Sequence, residues 1–508
     1  MRTIAVTVPV SALLLLAGCN VGPKYTKPST PAPPAFKETA PAAYREAPPG
    51  TWKPAEPQDA ALKGKWWEIF QEPELSALEE RLDIDNQNIK QYFQNFMAAR
   101  AQVGESRAAY FPTLTGSASA GRSRSGGGGG GAALNGNTGA SQAGGNTYNS
   151  FSLPFDVAWE PDLWGRVRNS VRESEYAAQV SAADLENERL TEQADLAVYY
   201  FQLRGQDALQ DLYDRTIEAD RKSLELTRAL VETGIDSPES EAQADVTLQD
   251  AEAQGAGIAA NRATYEHAIA TLIGKPASEF SMPVKVLATP VPAIPIGVPS
   301  QLLERRPDIA AAERTMAQAN ALIGVEKAAF FPNLSLTASG GLESSMISKL
   351  FSLPALFWSV GSSAAQTIFD AGLRRSTVAQ YTANYNADVA AYRQSVLTAF
   401  QQVEDYLANL RVSSAQIEKQ QSAVNAARRY LELATARYQT GLDPYLNVLT
   451  AQTTLLSDQQ AEVTVRVSEM TAAVQLIQAL GGGWDANQLP SASQVTSKTA
   501  EVKASGKQ

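Results

Sequence analysis

The chain of 508 residues contains a single cysteine, Cys19, and a single histidine, His267. One thiol excludes a disulfide framework and a thiolate metal cluster. One imidazole excludes the paired-histidine zinc motifs. His267 stands with Tyr265, Ile269 and Leu272 in a helical stretch and reads as an ordinary helix residue. Positive charge is in deficit: 43 Lys and Arg against 54 Asp and Glu leave a net charge of -11. That balance argues against a nucleic-acid partner, whose phosphates demand a basic surface. A phosphate-cradling Walker A loop is missing, because Gly274-Lys275 runs into Pro276, and so is a G-x-S-x-G nucleophile elbow. The many acids single out no catalytic pair, so no enzyme, cofactor or metal is predicted. Beyond the N-terminus no apolar run reaches the roughly 18 residues of a membrane-spanning helix. Crossing by β-strands stays open, since their sequence signal is much weaker.

What is present begins at the N-terminus. Arg2 precedes an apolar run from Ile4 to Leu16, which ends in Leu16-Ala17-Gly18-Cys19. A basic start, an apolar middle and small residues before the cut describe a secretory signal over residues 1–18. A cut before cysteine resembles the lipobox of bacterial lipoproteins. The resemblance implies a diacylglycerol thioether on the Cys19 sulfur and an acyl chain on its freed amine. Each buried methylene contributes roughly 0.8 kcal/mol, so two or three chains hold a protein durably on a membrane. Asn20 follows, where lipoprotein sorting reads aspartate as retention at the inner membrane, so the outer membrane is expected. The alternative is an ordinary signal peptide with an incidental cysteine.

The chain repeats itself. Ala108-Ala109-Tyr110-Phe111-Pro112-Thr113-Leu114-Thr115 is matched by Ala328-Ala329-Phe330-Phe331-Pro332-Asn333-Leu334-Ser335. Leu163-Trp164-Gly165-Arg166 is matched by Asp370-Ala371-Gly372-Leu373-Arg374, and Glu232-Thr233-Gly234-Ile235-Asp236 by Gln439-Thr440-Gly441-Leu442-Asp443. The offset shortens after the first pair, where the first half alone carries a glycine-rich stretch, Gly126 to Gly145. Duplication with one loop insertion explains this order. The glycine run reads as a flexible surface loop rather than a phosphate cradle.

Each half reads as helix, strand, loop, strand and two long helices. Phe151, Leu153, Phe155, Val157 and Trp159 alternate with Ser152, Asp156, Ala158 and Glu160, which puts one set on each face of a strand. Pro154 inside that run weakens it or marks a bulge. Shorter alternations occur at Leu334, Leu336, Ala338 and at Leu356, Trp358, Val360. Aromatics near the strand ends (Tyr110, Phe111, Trp159, Trp164, Phe330, Phe331, Trp358, Phe369) suit the girdles of a membrane barrel; a soluble β-core is the alternative. From Val378 the apolar positions Tyr381, Tyr385, Val389, Tyr392, Val396, Phe400, Val403, Leu407 and Leu410 recur at helical spacing. No proline falls between Ala371 and Gly441, so one helix of about 65 residues, on the order of 100 Å, is predicted. Gly441 and Pro444 end it, as Gly234 and Pro238 do in the first half, with Asp443 the expected N-cap of the returning helix. Four strands per chain close no barrel, and open edges are forbidden in lipid. Three copies would supply a closed twelve-stranded wall. Membrane strands, very long helices and a lipid anchor thus point to an oligomeric tube.

At this point the residues resemble the outer-membrane factors of bacterial tripartite pumps, the TolC-like channels, in their OprM-like lipoprotein branch. The likeness covers nearly all of the mature chain. It rests on Trp66-Trp67-Glu68-Ile69-Phe70 with Pro73, Leu75, Leu78 and Asn86, and on Trp159-Glu160-Pro161-Asp162-Leu163-Trp164-Gly165-Arg166. It also rests on Gln301-Leu302-Leu303-Glu304-Arg305-Arg306-Pro307-Asp308-Ile309-Ala310-Ala311-Ala312-Glu313 and on Arg437-Tyr438-Gln439-Thr440-Gly441. Pro307 suits the first position of a helix, and Arg305 and Arg306 are expected on nearby carboxylates or carbonyls.

The resemblance implies a homotrimer with a twelve-stranded outer-membrane barrel, an α-helical periplasmic tunnel and an equatorial collar. It implies a passive exit duct for drugs or other small molecules in an RND-type pump, served by a periplasmic adaptor and an inner-membrane transporter. The layout expected is a signal peptide (1–18), a lipid-anchored extension (19–60), a first repeat (61–274), an equatorial linker (275–300), a second repeat (301–481) and a C-terminal equatorial segment and tail (482–508). A duct for protein secretion and a lipid-anchored coiled-coil scaffold without a pore are the competing readings.

The family's periplasmic entrance lies at the two helix breaks, here at Gly234 and Gly441. Leu446 matches the family's apolar constriction. Where relatives place acids, this chain has Asn447 and Thr450 after the second break and Ser240 after the first. Asp236, Glu239, Glu241 and Asp443 are the acids close by, with Asp236 and Asp443 the gate candidates among them.

Overall fold

A computed structural model describes residues 20–30, 33, 35–38, 64–124, 147–286, 290–292, 294 and 302–496. The signal segment, Cys19 and the glycine-rich stretch lie outside the described residues. In chain order the elements are α1 (Pro73–Asp85), α2 (Gln87–Ala108), β1 (Thr113–Gly116), β2 (Ser119–Arg124), β3 (Thr147–Trp159), α3 (Arg166–Glu232) and α4 (Pro238–Leu272). There follow α5 (Leu302–Arg305), α6 (Pro307–Ala328), β4 (Asn333–Ser344), β5 (Leu356–Ala365), α7 (Leu373–Gln439), α8 (Tyr445–Ala479) and α9 (Ala492–Thr496). The duplication is visible in the lengths. Helices α3 and α7 have 67 residues each, and α4 and α8 have 35 each. Both long helices start just after a glycine with positive φ, Gly165 (83°) and Gly372 (91°), a conformation that a side chain would strain. Among the described residues no helix is long and apolar enough to cross a membrane.

The described residues form two compact units. The first comprises the residues up to Thr26, Arg100–Ala177 and Met316–Ala387. It holds one antiparallel sheet in the order β1-β3-β4-β5, with β2 also paired to β3. Strands β1 and β2 are two pieces of one strand position, so four positions are filled, as the sequence pattern predicted. The interruption falls opposite Pro154, which has no N–H to give to the ladder. Ser117 still donates its N–H to the Pro154 carbonyl at 3.1 Å. Gly341 pairs with Pro154, and a Cβ there would lie 2.3 Å from the Leu153 carbonyl oxygen.

Because directly paired residues share a face, the register sorts the side chains. Leu114, Leu153, Phe155, Val157, Trp159, Leu336, Ala338, Leu342, Leu356, Trp358 and Val360 fall on one face. Thr115, Ser152, Asp156, Ser335, Thr337, Ser339, Ser359 and Ser363 fall on the other, where Ser119 meets Ser152 and Ser335 meets Ser363 at 2.7 Å. The apolar face is uncovered: Trp358 is 77% exposed and Val360 76%. A soluble β-core would bury that face, whereas alternation of an exposed apolar face with a polar one is the pattern of a membrane barrel wall. At the sheet's helical end the repeat motifs meet, Trp164 stacking on Phe331 at 4.8 Å and donating its indole N–H to the Pro332 carbonyl at 2.8 Å. Asn20 is held there as well, accepting from the Asn169 side chain at 2.9 Å.

The second unit comprises Lys27–Ala99, Ala178–Thr315 and the residues from Asp388 onward. Trp66, Trp67 and Phe70 sit on a tight turn before α1 and are buried almost completely. The apolar stripe of α7 packs inward as its spacing predicted, with Tyr392, Val396, Phe400, Val403, Leu407 and Leu410 in the core. Pro307 opens α6. Arg306 grips Asp308 at 2.6 Å, Gln402 at 2.9 Å and the Ala479 carbonyl at 3.0 Å. A buried ion network ties the chain after α4 to the helices. Asp207 holds Arg204 at 2.9 Å and Arg262 at 2.7 Å, Arg262 donates to the Met282 carbonyl at 2.8 Å, and Lys285 reaches Glu72 at 2.7 Å. Within it the Arg204–Asp207 pair is almost fully withdrawn from water, where a charge is held only when it is paired.

Candidate functional site

The site is built from the two turns that end the long helices, all within the second unit. Gly234 and Gly441 both have φ of 72°. In each turn a residue beyond the glycine bonds back to the helix it leaves, Ile235 to the Leu230 carbonyl and Leu442 to the Arg437 carbonyl, both at 2.9 Å. This left-handed closure reverses the chain without orphaned carbonyls. Ser237 caps α4, accepting the Ser240 N–H at 3.4 Å. Asp443 does not cap α8, against the expectation from sequence. Pro444 stands at the N-cap position, and Asp443 instead takes a two-pronged bond from Arg437 at 2.6 and 3.0 Å. A guanidinium that matches both carboxylate oxygens outcompetes a backbone N–H for the acid.

The structure joins the two turns through one pair that sequence reading did not assign. Tyr438 of α7 donates its hydroxyl to Asp236 at 2.5 Å, and that oxygen also lies 3.2 Å from the Thr227 hydroxyl. Asp236 further accepts from the Ser240 hydroxyl at 2.8 Å and from the Ser237 N–H at 2.7 Å. Partial burial pushes Asp236 up, but the bonds from Tyr438, Ser237 and Ser240 outweigh it and leave the carboxyl below its ordinary value. Burial, with the Asp236 contact second, pushes Tyr438 up to about 12. Behind it Tyr438 packs edge-on against Tyr445 at 5.4 Å, in a core of Leu224, Ala244, Leu248, Val448 and Ala451.

The remaining candidates divide by face. Tyr445, Val448 and Ala451 of α8 point into that core, while Leu446 is 55% exposed and Thr450 is exposed beside it. Thr450 donates to the Leu446 carbonyl one turn back at 2.8 Å, which occupies its hydroxyl hydrogen. Asn447 is half-buried and, after the Arg437 bond, helps hold Asp443 below its ordinary value. Glu241 is taken by Arg228 at 2.8 Å. So Asp236 and Ser240 come together, Asp443 and Asn447 come together, and Leu446 shares an exposed stripe with Thr450. Leu446, Leu449 and Thr450 also line a cleft of about 1000 Å³ bounded by α3, α4 and α8. Among the described residues no group of three His, Cys, Asp or Glu is placed to hold a metal. The arrangement offers hydrogen bonds and packing that can part.

Comparison with known proteins agrees with this architecture. The profile of the outer membrane efflux protein family matches residues 78–275 and 298–482. The chain is similar to the solvent efflux pump outer membrane protein SrpC of Pseudomonas putida, 32% identical over 486 residues, covering 95% of this chain and 99% of that one. It is also similar to the antibiotic efflux pump outer membrane protein ArpC of Pseudomonas putida, 31% identical over 480 residues, covering 92% and 94%. The solved outer-membrane channel OprN superposes with a TM-score of 0.81 at 29% identity, covering 92% of this chain and all of that one. With its exposed apolar sheet, paired long helices and duplicated halves, the chain belongs to the outer membrane efflux protein family and has the β-barrel and α-helical tunnel fold of its channels.

Proposed function

We propose that three copies close into one channel that serves as the passive exit duct of a tripartite efflux pump, gated at the turns around Gly234 and Gly441. The observation that carries this reading is the sheet. Its apolar face is exposed, its other face is polar, and its outer strands present unpaired backbone groups that lipid does not tolerate. Edge-to-edge closure with further copies satisfies those groups and puts the serine and threonine face around an aqueous bore. A periplasmic adaptor and an inner-membrane transporter are the partners that such a duct requires. The solvent and antibiotic pumps to which SrpC and ArpC belong support small apolar or amphipathic molecules as cargo. In this reading Leu446 narrows the entrance, Asn447 and Thr450 replace an acidic ring, and the ties of Asp236 and Asp443 hold the turns shut. Cys19 carries the lipid anchor. Its neighbour Asn20 is held by Asn169, and Val21 after it donates to the carbonyl of Trp164, an aromatic of the kind that settles at a membrane interface.

Disulfide cross-linking tests the closure. In a Cys19→Ala background, cysteines scanned in pairs along the free edges of β1 and β5 should yield covalent dimers and trimers in native membranes. A chain that stays monomeric across the whole scan refutes the barrel.

A further inference from the structure

We propose that the cleft between α3, α4 and α8 is a binding site for an organic cation with an apolar body, and that Asp220 is its counter-charge. Asp220 lies in the cleft wall and is only 4% exposed. It has no hydrogen-bond or ion-pair partner among the described residues. A carboxylate withdrawn from water without a donor is costly, and it is relieved when a cation enters beside it.

Three further features point the same way. The walls carry Val246, Leu446, Leu449 and Leu456, an apolar surface against which one side of a ligand's body can lie. Among the described residues the charged groups of the lining are all acidic: Glu239 and Asp250 are exposed, Asp458 is half-buried, and no lysine, arginine or histidine lines the cleft. The volume, about 1000 Å³, exceeds what an inorganic ion fills and suits an aromatic or multi-ring cation. An anion would meet four carboxylates, and a neutral ligand would leave Asp220 without a partner. Burial raises the Asp220 carboxyl to about 6, so binding should weaken as mild acid protonates it. Tyr445, which burial and then the Asp220 charge push up, stays neutral in that range, and Glu239, Asp250 and Asp458 are the other acids of the lining. Leu446 and Thr450 form part of the wall, so an occupant touches the candidate gate.

The test uses the full-length protein in lipid nanodiscs, with equilibrium dialysis against tetraphenylphosphonium and against neutral triphenylphosphine oxide, each corrected with empty nanodiscs. We expect saturable binding of the cation at one site per chain and at least about ten-fold weaker binding of the neutral analogue. Asp220→Asn should lower affinity for the cation about ten-fold and leave the neutral analogue unchanged. Acidification from about pH 7.5 to about pH 5 should weaken cation binding to the wild type much more than to Asp220→Asn. Should Asp220→Asn fail to fold, Thr453→Lys decides, because Thr453 is an exposed lining residue and an ammonium there repels the cation. Wild-type affinity in either folded variant, equal affinity for both probes, or no saturable binding overturns the site. The binding assay needs no pore, so its outcome is separate from that of the duct.

Discussion

Tyr438 is the donor that links the turn after α3 to the helix before the other turn. Tyr438→Phe keeps the ring on Tyr445 and deletes one of the three donors to Asp236. A loss of about 1 kcal/mol per chain should raise the open population of each tip about five-fold, read as a higher open probability in single-channel records. Wild-type gating in the variant would remove this pair from the closed state. The pH response has a definite sign. Asp236 lies below 3.8, so its contribution is complete above that value and is lost only as pH falls through the depressed folded value. Tyr438 keeps its proton until about 12. The tie should therefore not respond between about pH 5 and about pH 9. Leu446→Ala is expected to raise conductance and admit large antibiotics, because in the proposed trimer one truncation occurs three times around the axis. Unchanged conductance at matched trimer yield would make Leu446 a packing residue. Asn447→Asp with Thr450→Asp should make conductance sensitive to divalent cations, which clustered carboxylates bind.

Among the elements, the hairpin of β2 and β3 invites the simplest surgery. Arg124 pairs directly with Thr147, so replacing residues 125–146 by a two-residue Asn-Gly turn restores a standard hairpin. Trimer yield and membrane insertion should be unchanged, and failure to insert would assign the glycine-rich stretch a structural part. Helix α1 holds a different kind of strain. Glu79 is fully buried, neither carboxylate oxygen has a hydrogen-bond partner among the described residues, and burial, then Asp83, raises it well above 4.5. A raised acid takes up a proton on folding, so stability falls as pH rises from 4.5 toward the folded value. Glu79→Gln should raise the melting temperature at about pH 7.5, and the gain should shrink toward about pH 5. A lower melting temperature at both would show that the carboxylate has a partner.

Much of this scale was legible in the chain itself. Glycines that need positive φ and prolines that cannot continue a helix leave their mark at Gly234, Pro238, Gly441 and Pro444, and period-two alternation marked β3. The split of β1 from β2 was half legible, since Pro154 announced a defect but not on which strand it would appear. Tyr438 and Asp236 are 202 residues apart, and nothing local tells a tyrosine which acid it will meet. Asp220 was one of 54 acids, and its isolation exists only once α3, α4 and α8 are packed.

At the scale of the whole molecule, the proposed lipid anchor and the barrel would be separate holds on the membrane. Cys19→Ala should lose lipid labelling yet still sediment with membranes as a trimer, because a barrel buries a wide apolar band without help from acyl chains. A soluble monomeric product would leave the anchor as the sole attachment and favour a scaffold. The most direct test is conductance. Purified full-length protein added to a planar bilayer at matched insertion should give discrete, uniform single-channel steps, small at rest and larger in Tyr438→Phe and Leu446→Ala. Membrane-inserted protein that passes no current in any of the three would contradict a duct.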